Sequence, residues 1–269
     1  GKTTLLRCMA ALEHPLSGTI RVQSMDVHEC PRESHRMIGY LSDFFGLYNE
    51  LTVRQCLLHA AGARGISYEK IEGVVKRAAE RLQLSDRLKV KAGALSRGLR
   101  QRLAIAQAIV HDPEILLLDE PASGLDPEAR HSLAELFLAL REQGMTLVVS
   151  SHILSELDEY STHMLVLKDG RIVDDKSMQL AKHHPESVTI EVHTVSVVDN
   201  FAMILSQLNG VWDVTVNGTV AEFTCDADNE KQHELLRSLI QRDIPVISFT
   251  EKTFNIQQAY LNTVQEKTQ

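Results

Sequence analysis

The sequence predicts an α/β protein with a largely parallel sheet, an all-helical insert and a second, smaller α+β unit. Three observations lead to this prediction. Short apolar runs alternate with amphipathic helical stretches over the first 180 residues, residues from about 51 to 95 have only helical periodicity, and the pattern changes near residue 185. The chain has 269 residues, 43% of them hydrophobic, which is enough for one large domain or two small ones.

The predicted first unit spans residues 1–180 and begins with a helix over residues 3–13, where Leu5, Leu6, Met9 and Leu12 share one face. Short strands follow at 19–22 and 37–41, and helices at 53–63 and 68–82 make up the insert. The remaining elements are, in chain order, a helix at 100–111, a strand at 115–118, a helix at 127–143, a strand at 146–150, a helix at 153–160 and a hairpin of strands at 164–167 and 171–173.

The predicted second unit spans residues 186–269, after a linker at 182–185. Its elements are, in chain order, a strand at 187–193, a helix at 199–208, strands at 211–216 and 219–225 around Asn217-Gly218, a helix at 229–242 and a strand at 245–249. Asn-Gly between alternating apolar residues is a strong hairpin signal. The order β-α-β-β-α-β suggests a ferredoxin-like fold, and one more helix is expected at 255–264.

Composition and charge exclude several classes of function. No apolar run approaches the ~18–20 residues that span a bilayer, so a role at a membrane needs a membrane-bound partner. The four cysteines are scattered without the spacing of a zinc site. The net charge is −8, and residues after 185 hold 5 Lys and Arg against 12 Asp and Glu. Nucleic-acid phosphates are bound by clustered Lys and Arg, so this acidic tail argues against nucleic acid, and we expect no nucleic-acid partner.

The sequence opens on Gly1-Lys2-Thr3-Thr4, followed at once by an amphipathic helix. This matches the second half of the phosphate-binding P-loop. Backbone N–H groups at a helix N-terminus cradle phosphate oxygens, and Lys2 adds a mobile positive charge. The hydroxyl of Thr3 is a hard oxygen ligand suited to Mg²⁺. A chance Gly-Lys-Thr at the start of a chain is the alternative that this half motif leaves open.

Asp119 and Glu120 follow four apolar residues, Ile115-Leu-Leu-Leu118. The run predicts a buried strand that delivers two carboxylates to its carboxyl end, where ligands bind in open α/β sheets. Asp119 is expected to hold Mg²⁺, and Glu120 to accept a proton from an attacking water or to orient it. The alternative is a strand that ends in a solvated acidic turn.

Three further motifs lie between the helical insert and residue 152. The stretch Leu95-Ser96-Arg97-Gly98-Leu99 resembles the signature Leu-Ser-Gly-Gly-Gln of the ABC transporter ATPase family, with Arg97 and Leu99 as departures. Ser96 and Gly98 keep the positions nearest phosphate. Ser123-Gly124-Leu125-Asp126 resembles the D-loop, and Val148-Val149-Ser150-Ser151-His152 resembles the strand that ends in the switch histidine, which implies that His152 reaches the γ-phosphate.

The resemblance covers residues 1 to about 173 and implies a P-loop ATPase that uses ATP and Mg²⁺. It implies a head-to-tail dimer with a second copy or a homologous subunit, in which Ser96 and Gly98 cover the nucleotide of the other subunit. It also implies an integral membrane permease as partner and a location on the cytoplasmic face of the cell membrane. The additional C-terminal unit is similar to that of the branch with ABC-2-type permeases, which favours export. The family's first strands are expected upstream, so the sequence is interpreted as an N-terminally truncated fragment.

Asp43 departs from the family pattern, because it stands where a Gln usually follows the strand. An ionised Asp can ligate Mg²⁺ but cannot donate a hydrogen bond. Two alternatives to a catalytic transporter subunit remain. The first, which Asp43 leaves open, is a regulatory cassette that binds nucleotide without turnover. The second, independent of Asp43, is an ABC ATPase that acts on DNA or ribosomes. The intact Glu120 and His152 oppose the first, and the short, heptad-free distance from Lys2 to Ser96 opposes the chromosome-organising form of the second.

Overall fold

A computed structural model describes residues 1–43, 46–177 and 187–251. The described chain divides into two compact units, of which the first comprises residues 1–161 and 166–173. The second contains residues 162–165 and the described residues from 174 onwards. No helix among the described residues is both long enough and apolar enough to cross a membrane.

The first part of the chain alternates helices and strands as the sequence predicts. The elements are α1 (Lys2–Met9), β1 (Arg21–Val22), β2 (Met25–Asp26), α2 (Pro31–Met37), β3 (Ile38–Leu41), α3 (Val53–Ala63), α4 (Tyr68–Arg81), α5 (Arg97–Ile109), β4 (Ile115–Asp119), α6 (Pro127–Glu142), β5 (Thr146–Ser150), α7 (Leu154–Tyr160), β6 (His163–Lys168) and β7 (Arg171–Ser177). Short 3₁₀ helices at Ser85–Arg87 and Ala92–Ala94 complete the connection between α4 and α5.

A three-stranded parallel sheet in the order β3-β4-β5 lies at the centre of the first unit. The central strand β4 is buried on both faces because its apolar side chains alternate between two helical layers. Leu116 and Leu118 belong to the large core that α3, α4, α5 and α6 build. Leu117 packs on the other face with Leu6 of α1. The register pairs Asp119 with Ser150, so polar residues of neighbouring strands meet at one edge.

Local capping fixes where the functional helices begin. Asp126 accepts a hydrogen bond from Ala129 N at 2.8 Å and caps α6, with Pro127 in the first turn. Ser96 caps α5 by accepting from Leu99 N, so α5 begins at Arg97, three residues before the predicted start at residue 100. The first turn of α5 therefore contains the residues that resemble the ABC signature.

Other boundaries differ from the sequence predictions for local reasons. Helix α1 ends at Met9, short of residue 13, because Ala11 has a φ of +54°, in the left-handed region. The predicted strand at 37–41 begins at Ile38, since residue 37 ends α2, a helix that the sequence analysis did not predict. Proline at the start of α2 was the available signal, because its φ suits a first helical position.

The second unit contains a four-stranded antiparallel sheet with two helices. Its elements are β8 (Ser187–Thr194), α8 (Phe201–Ser206), β9 (Val211–Asn217), β10 (Val220–Asp226), α9 (Asn229–Gln241) and β11 (Val246–Glu251). The strand order is β11-β8-β10-β9. Ile190, Phe201, Phe223 and Leu239 are fully or almost fully buried in its core. The predicted linker at 182–185 and the helix predicted at 255–264 lie outside the described residues.

Candidate active site

Strand β4 brings Asp119 and Glu120 to the carboxyl edge of the parallel sheet, as predicted. The side chain of Asp119 is buried, and Ser150 Oγ donates a hydrogen bond of 2.5 Å to its Oδ1. The backbone N–H of Glu120 donates in turn to Ser150 Oγ and to Ser150 O, both at 3.1 Å. One serine on β5 thus holds both acidic residues of the neighbouring strand.

The second carboxylate oxygen of Asp119 is suited to a cation. Oδ2 is buried, and no hydrogen-bond partner for it exists within the described part of the chain. A buried anionic oxygen without a partner is costly, and a divalent cation or its bound water removes that cost. The carboxylate of Asp119, with the Ser150 hydroxyl beside it, therefore fits Mg²⁺.

The carboxylate of Glu120 lies between Lys2 and His152. Lys2 Nζ is 3.2 Å from Oε1, and His152 Nδ1 is 2.6 Å from Oε2. The backbone N–H of His152 also donates to Oε2, at 3.3 Å. Glu120 has a φ of +49°, a left-handed conformation that costs a non-glycine residue about 1–2 kcal/mol. Strain of this kind clusters at functional sites.

Lys2 enters this cluster from the first turn of α1. Its ammonium group also donates to the backbone oxygen of Ser151 at 2.7 Å. Gly1 is the N-cap residue, and because glycine has no side chain, no side-chain acceptor caps the N–H groups of the first turn. Thr3 and Thr4 are exposed beside it. A helix N-terminus of this kind next to a lysine suits an anionic phosphate group.

The remaining predicted site residues lie in three other places. Ser96 and Gly98 are at the start of α5, and Asp126 is at the start of α6, where its carboxylate caps the helix. Asp43 is an exposed residue two positions after the end of β3. Across residues 1–43, 46–177 and 187–251, no hydrogen bond or ion pair joins any of these four to the Lys2–Glu120–His152 cluster.

Arg97, which stands in place of the first signature glycine, contacts the D-loop of its own chain. Its Nη2 donates to the backbone oxygen of Ser123 at 3.1 Å. Its guanidinium group lies so close to Gly124 that a Cβ there would be 2.1 Å from Nη2. Gly124 also has a φ of +66°, which glycine adopts without strain. The departure from the family signature thus has a defined structural role.

Sequence reasoning did not identify Ser150 and Arg97 as site residues. Ser150 had one available signal, a hydroxyl at the end of a buried strand immediately before Ser151-His152. Its contact with Asp119 depends on which strands are neighbours. Arg97 gave no local signal, since its partner Ser123 is 26 residues away.

Several known proteins are similar to this chain in sequence. The family model described as ABC transporter matches residues 1–123. Nod factor export ATP-binding protein I of Burkholderia lata is 35% identical over 171 residues, which is 64% of this chain and 56% of that protein. The ABC transporter ATP-binding protein NatA of Bacillus subtilis is 32% identical over 174 residues, covering 64% of this chain and 71% of NatA. The chain thus matches little more than half the length of the Nod factor export protein.

A solved structure described as the ATP-binding subunit of an ABC transporter superposes with a TM-score of 0.57 at 28% sequence identity. It covers 68% of this chain and 76% of the solved one. This chain belongs to the family of ABC transporter ATP-binding proteins, whose members hydrolyse ATP on a P-loop fold. The resemblance inferred from Gly1-Lys2-Thr3, Asp119-Glu120 and His152 is therefore confirmed at the level of the family.

Proposed function

We propose that this protein is an ATP-binding and ATP-hydrolysing subunit that drives a separate membrane permease. The observation that carries the proposal is the position of Glu120. Its carboxylate contacts both Lys2 and His152 and follows the buried Asp119 directly. A carboxylate held at a strand end between a cation and an imidazole is placed to take a proton and pass it on.

Each residue of the cluster has a distinct task in this proposal. Lys2 and the first N–H groups of α1, including those of Thr3 and Thr4, hold phosphate oxygens, with Gly1 preceding them. The Thr3 hydroxyl and Asp119 would hold Mg²⁺, which neutralises phosphate charge when bound. Ser150 keeps Asp119 oriented through its 2.5 Å hydrogen bond.

Glu120 and His152 carry the proton transfer. Glu120 accepts a proton from the attacking water or orients that water. His152 bonds Oε2 of Glu120 and is expected to reach the terminal phosphate. Glu120 directly follows β4 and His152 follows β5 by two residues, and these strands are neighbours in one sheet. The two side chains therefore meet without any rearrangement of the strands.

A head-to-tail dimer with a second copy or a homologous subunit completes the proposed mechanism. Ser96 and Gly98 lie at the start of α5, a helix N-terminus suited to a second phosphate contact. The described contacts do not join them to Lys2 of their own chain, which supports action on the nucleotide of the partner subunit. Asp126 follows the loop that Arg97 contacts and is proposed to take part in that interface. Closure and reopening of the dimer would transmit ATP turnover to the permease.

Export is the proposed direction, because one relative is named for Nod factor export. The protein is proposed to act on the cytoplasmic face of the cell membrane, held there by the permease. The helical insert around α3 and α4 is the proposed contact with that partner. We assign residues 1–180 to the ATPase domain and 186–269 to an accessory domain, whose strand order β11-β8-β10-β9 supports a ferredoxin-like fold.

The test is ATP turnover by Glu120→Gln in the complete protein. We expect hydrolysis to fall by ~10²-fold or more with ATP binding retained, because a proton acceptor is lost while no phosphate contact is removed. The mutant should accumulate as an ATP-bound dimer. Glu142→Gln, which neutralises an exposed glutamate at the end of α6, is the matched control and should keep normal turnover.

Near-normal turnover by Glu120→Gln would remove this residue from the mechanism. Absence of turnover in the unmodified complete protein, with ATP still bound, would instead favour the regulatory cassette. Co-purification with a multi-span permease would support the transporter subunit, whereas co-purification with DNA or ribosomes would support the alternative ABC ATPase.

A further inference from the structure

A basic cavity lies at the opposite end of α1 from Lys2. It has a volume of about 520 Å³ and is enclosed by the C-terminal end of α1, helix α2, strand β3 and the residues that follow α3. Its polar walls are formed by Arg32, His35, Arg36, Arg64 and Tyr40. The volume falls within the range of pockets that hold small molecules.

The walls of this cavity carry positive charge and no carboxylate. No Asp or Glu of the described chain lines it. Within the described part of the chain, no carboxylate forms an ion pair with Arg32, Arg36 or Arg64. Glu33, the acidic residue of α2, is exposed and does not line the cavity. As far as the described residues extend, three guanidinium groups thus share one concave surface without a directly paired carboxylate.

A half-buried imidazole beside Arg64 experiences the positive field of this region. Burial first, and then the charge of Arg64, lowers the pKa of His111 to about 4.

Contacts within the protein, including one that stabilises the end of α1, use only some of the hydrogen-bond donors that line the cavity. His35 Nε2 contacts Ala10 O at 2.8 Å, and Arg64 Nη1 donates to His35 O at 2.6 Å. These contacts use one ring nitrogen and one guanidinium N–H. The C-terminus of a helix is equivalent to about half a negative charge, whereas three arginines carry three positive charges. The side chains of Arg32 and Arg36 make no hydrogen bond among the described residues.

We propose that this cavity binds a small anion with two or more negative charges, of the phosphate-ester or polyphosphate class. Planar guanidinium groups bind phosphate oxygens through paired N–H donors, and Arg36 and Arg64 supply them from two elements. A free phosphorylated metabolite and the phosphate-monoester headgroup of phosphatidic acid share this chemistry. The site is distinct from the Lys2 cluster, which lies at the carboxyl ends of the strands.

The probe is inorganic tripolyphosphate, titrated calorimetrically into the complete protein carrying Lys2→Ala, which weakens phosphate binding at the catalytic cluster. We expect binding that falls at least about tenfold in a further Arg36→Gln, Arg64→Gln double variant, because two charge-assisted contacts are lost. The matched control is Arg77→Gln with Arg87→Gln, which removes the same charge outside the cavity and should retain binding. Arg32→Gln alone tests the cavity without disturbing any described side-chain hydrogen bond, and it should weaken binding with unchanged thermal unfolding.

A second arm identifies the source of the anion. Sedimentation with vesicles that contain phosphatidic acid, if it depends on Arg36 and Arg64, would assign a lipid headgroup, and tripolyphosphate binding alone would assign a free metabolite. The proposal is overturned if neither probe binds at millimolar concentration. It is equally overturned if the cavity and control double variants lose the same affinity, since that result would indicate only general attraction to a basic surface.

Discussion

The hydroxyl of Ser150 lies 2.5 Å from Oδ1 of Asp119, across the parallel pairing of β4 and β5. This hydrogen bond is buried, and the same hydroxyl accepts from the backbone N–H of Glu120. Ser150 therefore couples the proposed metal-binding acid and the proposed proton acceptor to one atom of the next strand.

Ser150→Ala is expected to lower the free energy of unfolding by about 1–3 kcal/mol, because Asp119 loses its described donor while it remains buried. Urea denaturation without nucleotide measures this loss. Thr146→Ala removes a hydroxyl from an exposed position on the same strand and is the control. Equal losses for the two variants would contradict a special role for the Ser150–Asp119 bond.

Mixed dimers test whether the signature acts across the subunit interface. One subunit carries Lys2→Ala and the other Ser96→Arg, both in the complete protein. If Ser96 serves the nucleotide of the partner, both lesions fall on one site and the second site is unaltered. We therefore expect substantial ATP turnover in the purified mixed dimer and little in either mutant homodimer.

A mixed dimer as inactive as both homodimers would oppose this arrangement unless the two sites depend on each other. A dimer of Lys2→Ala with an unmodified subunit resolves that case, because it contains a single lesion. If that dimer is active while the doubly mutated one is inactive, Ser96 acts on its own chain.

Gly124→Ala tests the contact between Arg97 and the D-loop. The new methyl group would lie 2.1 Å from Arg97 Nη2, and the φ of +66° adds backbone strain. Gly65→Ala is a matched control, because Gly65 has a similar φ of +72° but no atom of the described residues lies within 4 Å of the point that its Cβ would occupy. The Arg97 guanidinium group, at the end of a flexible side chain, would have to move away and lose its hydrogen bond to Ser123. We therefore expect Gly124→Ala to lower the free energy of unfolding by more than the control does, by about 0.5–1.5 kcal/mol.

Arg97→Ala should remove that difference, since the clash then has no partner. A double-mutant cycle measured by urea denaturation quantifies the coupling. Identical costs of Gly124→Ala with and without Arg97 would show that backbone strain alone accounts for the effect.

Removal of residues 186–269 is expected to spare the ATPase domain. Among the described residues, the cores packed on β4 and the core around Phe223 share no residue. The truncated protein should therefore unfold cooperatively and bind nucleotide, with altered regulation or dimer stability. Circular dichroism during heating and nucleotide titration measure both properties. Loss of the folded state on truncation would show that the two units depend on one core.

Much of the fold could be predicted because its signals are local. The apolar run before Asp119 predicts a buried strand, and Asn217-Gly218 predicts the turn between β9 and β10, both as observed. Boundaries were less predictable because they depend on single backbone conformations, as at Ala11, or on a cap, as at Ser96. Helix α2 was missed because its seven residues carry little apolar periodicity.

The sequence by itself determined the family and the acidic, basic and imidazole groups that form the site, because motif order and spacing are properties of the chain. Only the tertiary structure decided that Lys2 and His152 both contact Glu120, that Ser150 holds Asp119, and that Arg97 covers Gly124. These contacts join residues 27 to 118 positions apart. The contacts of Asp119 with Ser150 and of Glu120 with His152 arise because β4 and β5 become neighbours in the sheet, and no local pattern specifies which strands pair. The contacts of Lys2 and Arg97 depend in the same way on where helices α1 and α5 lie in the folded unit.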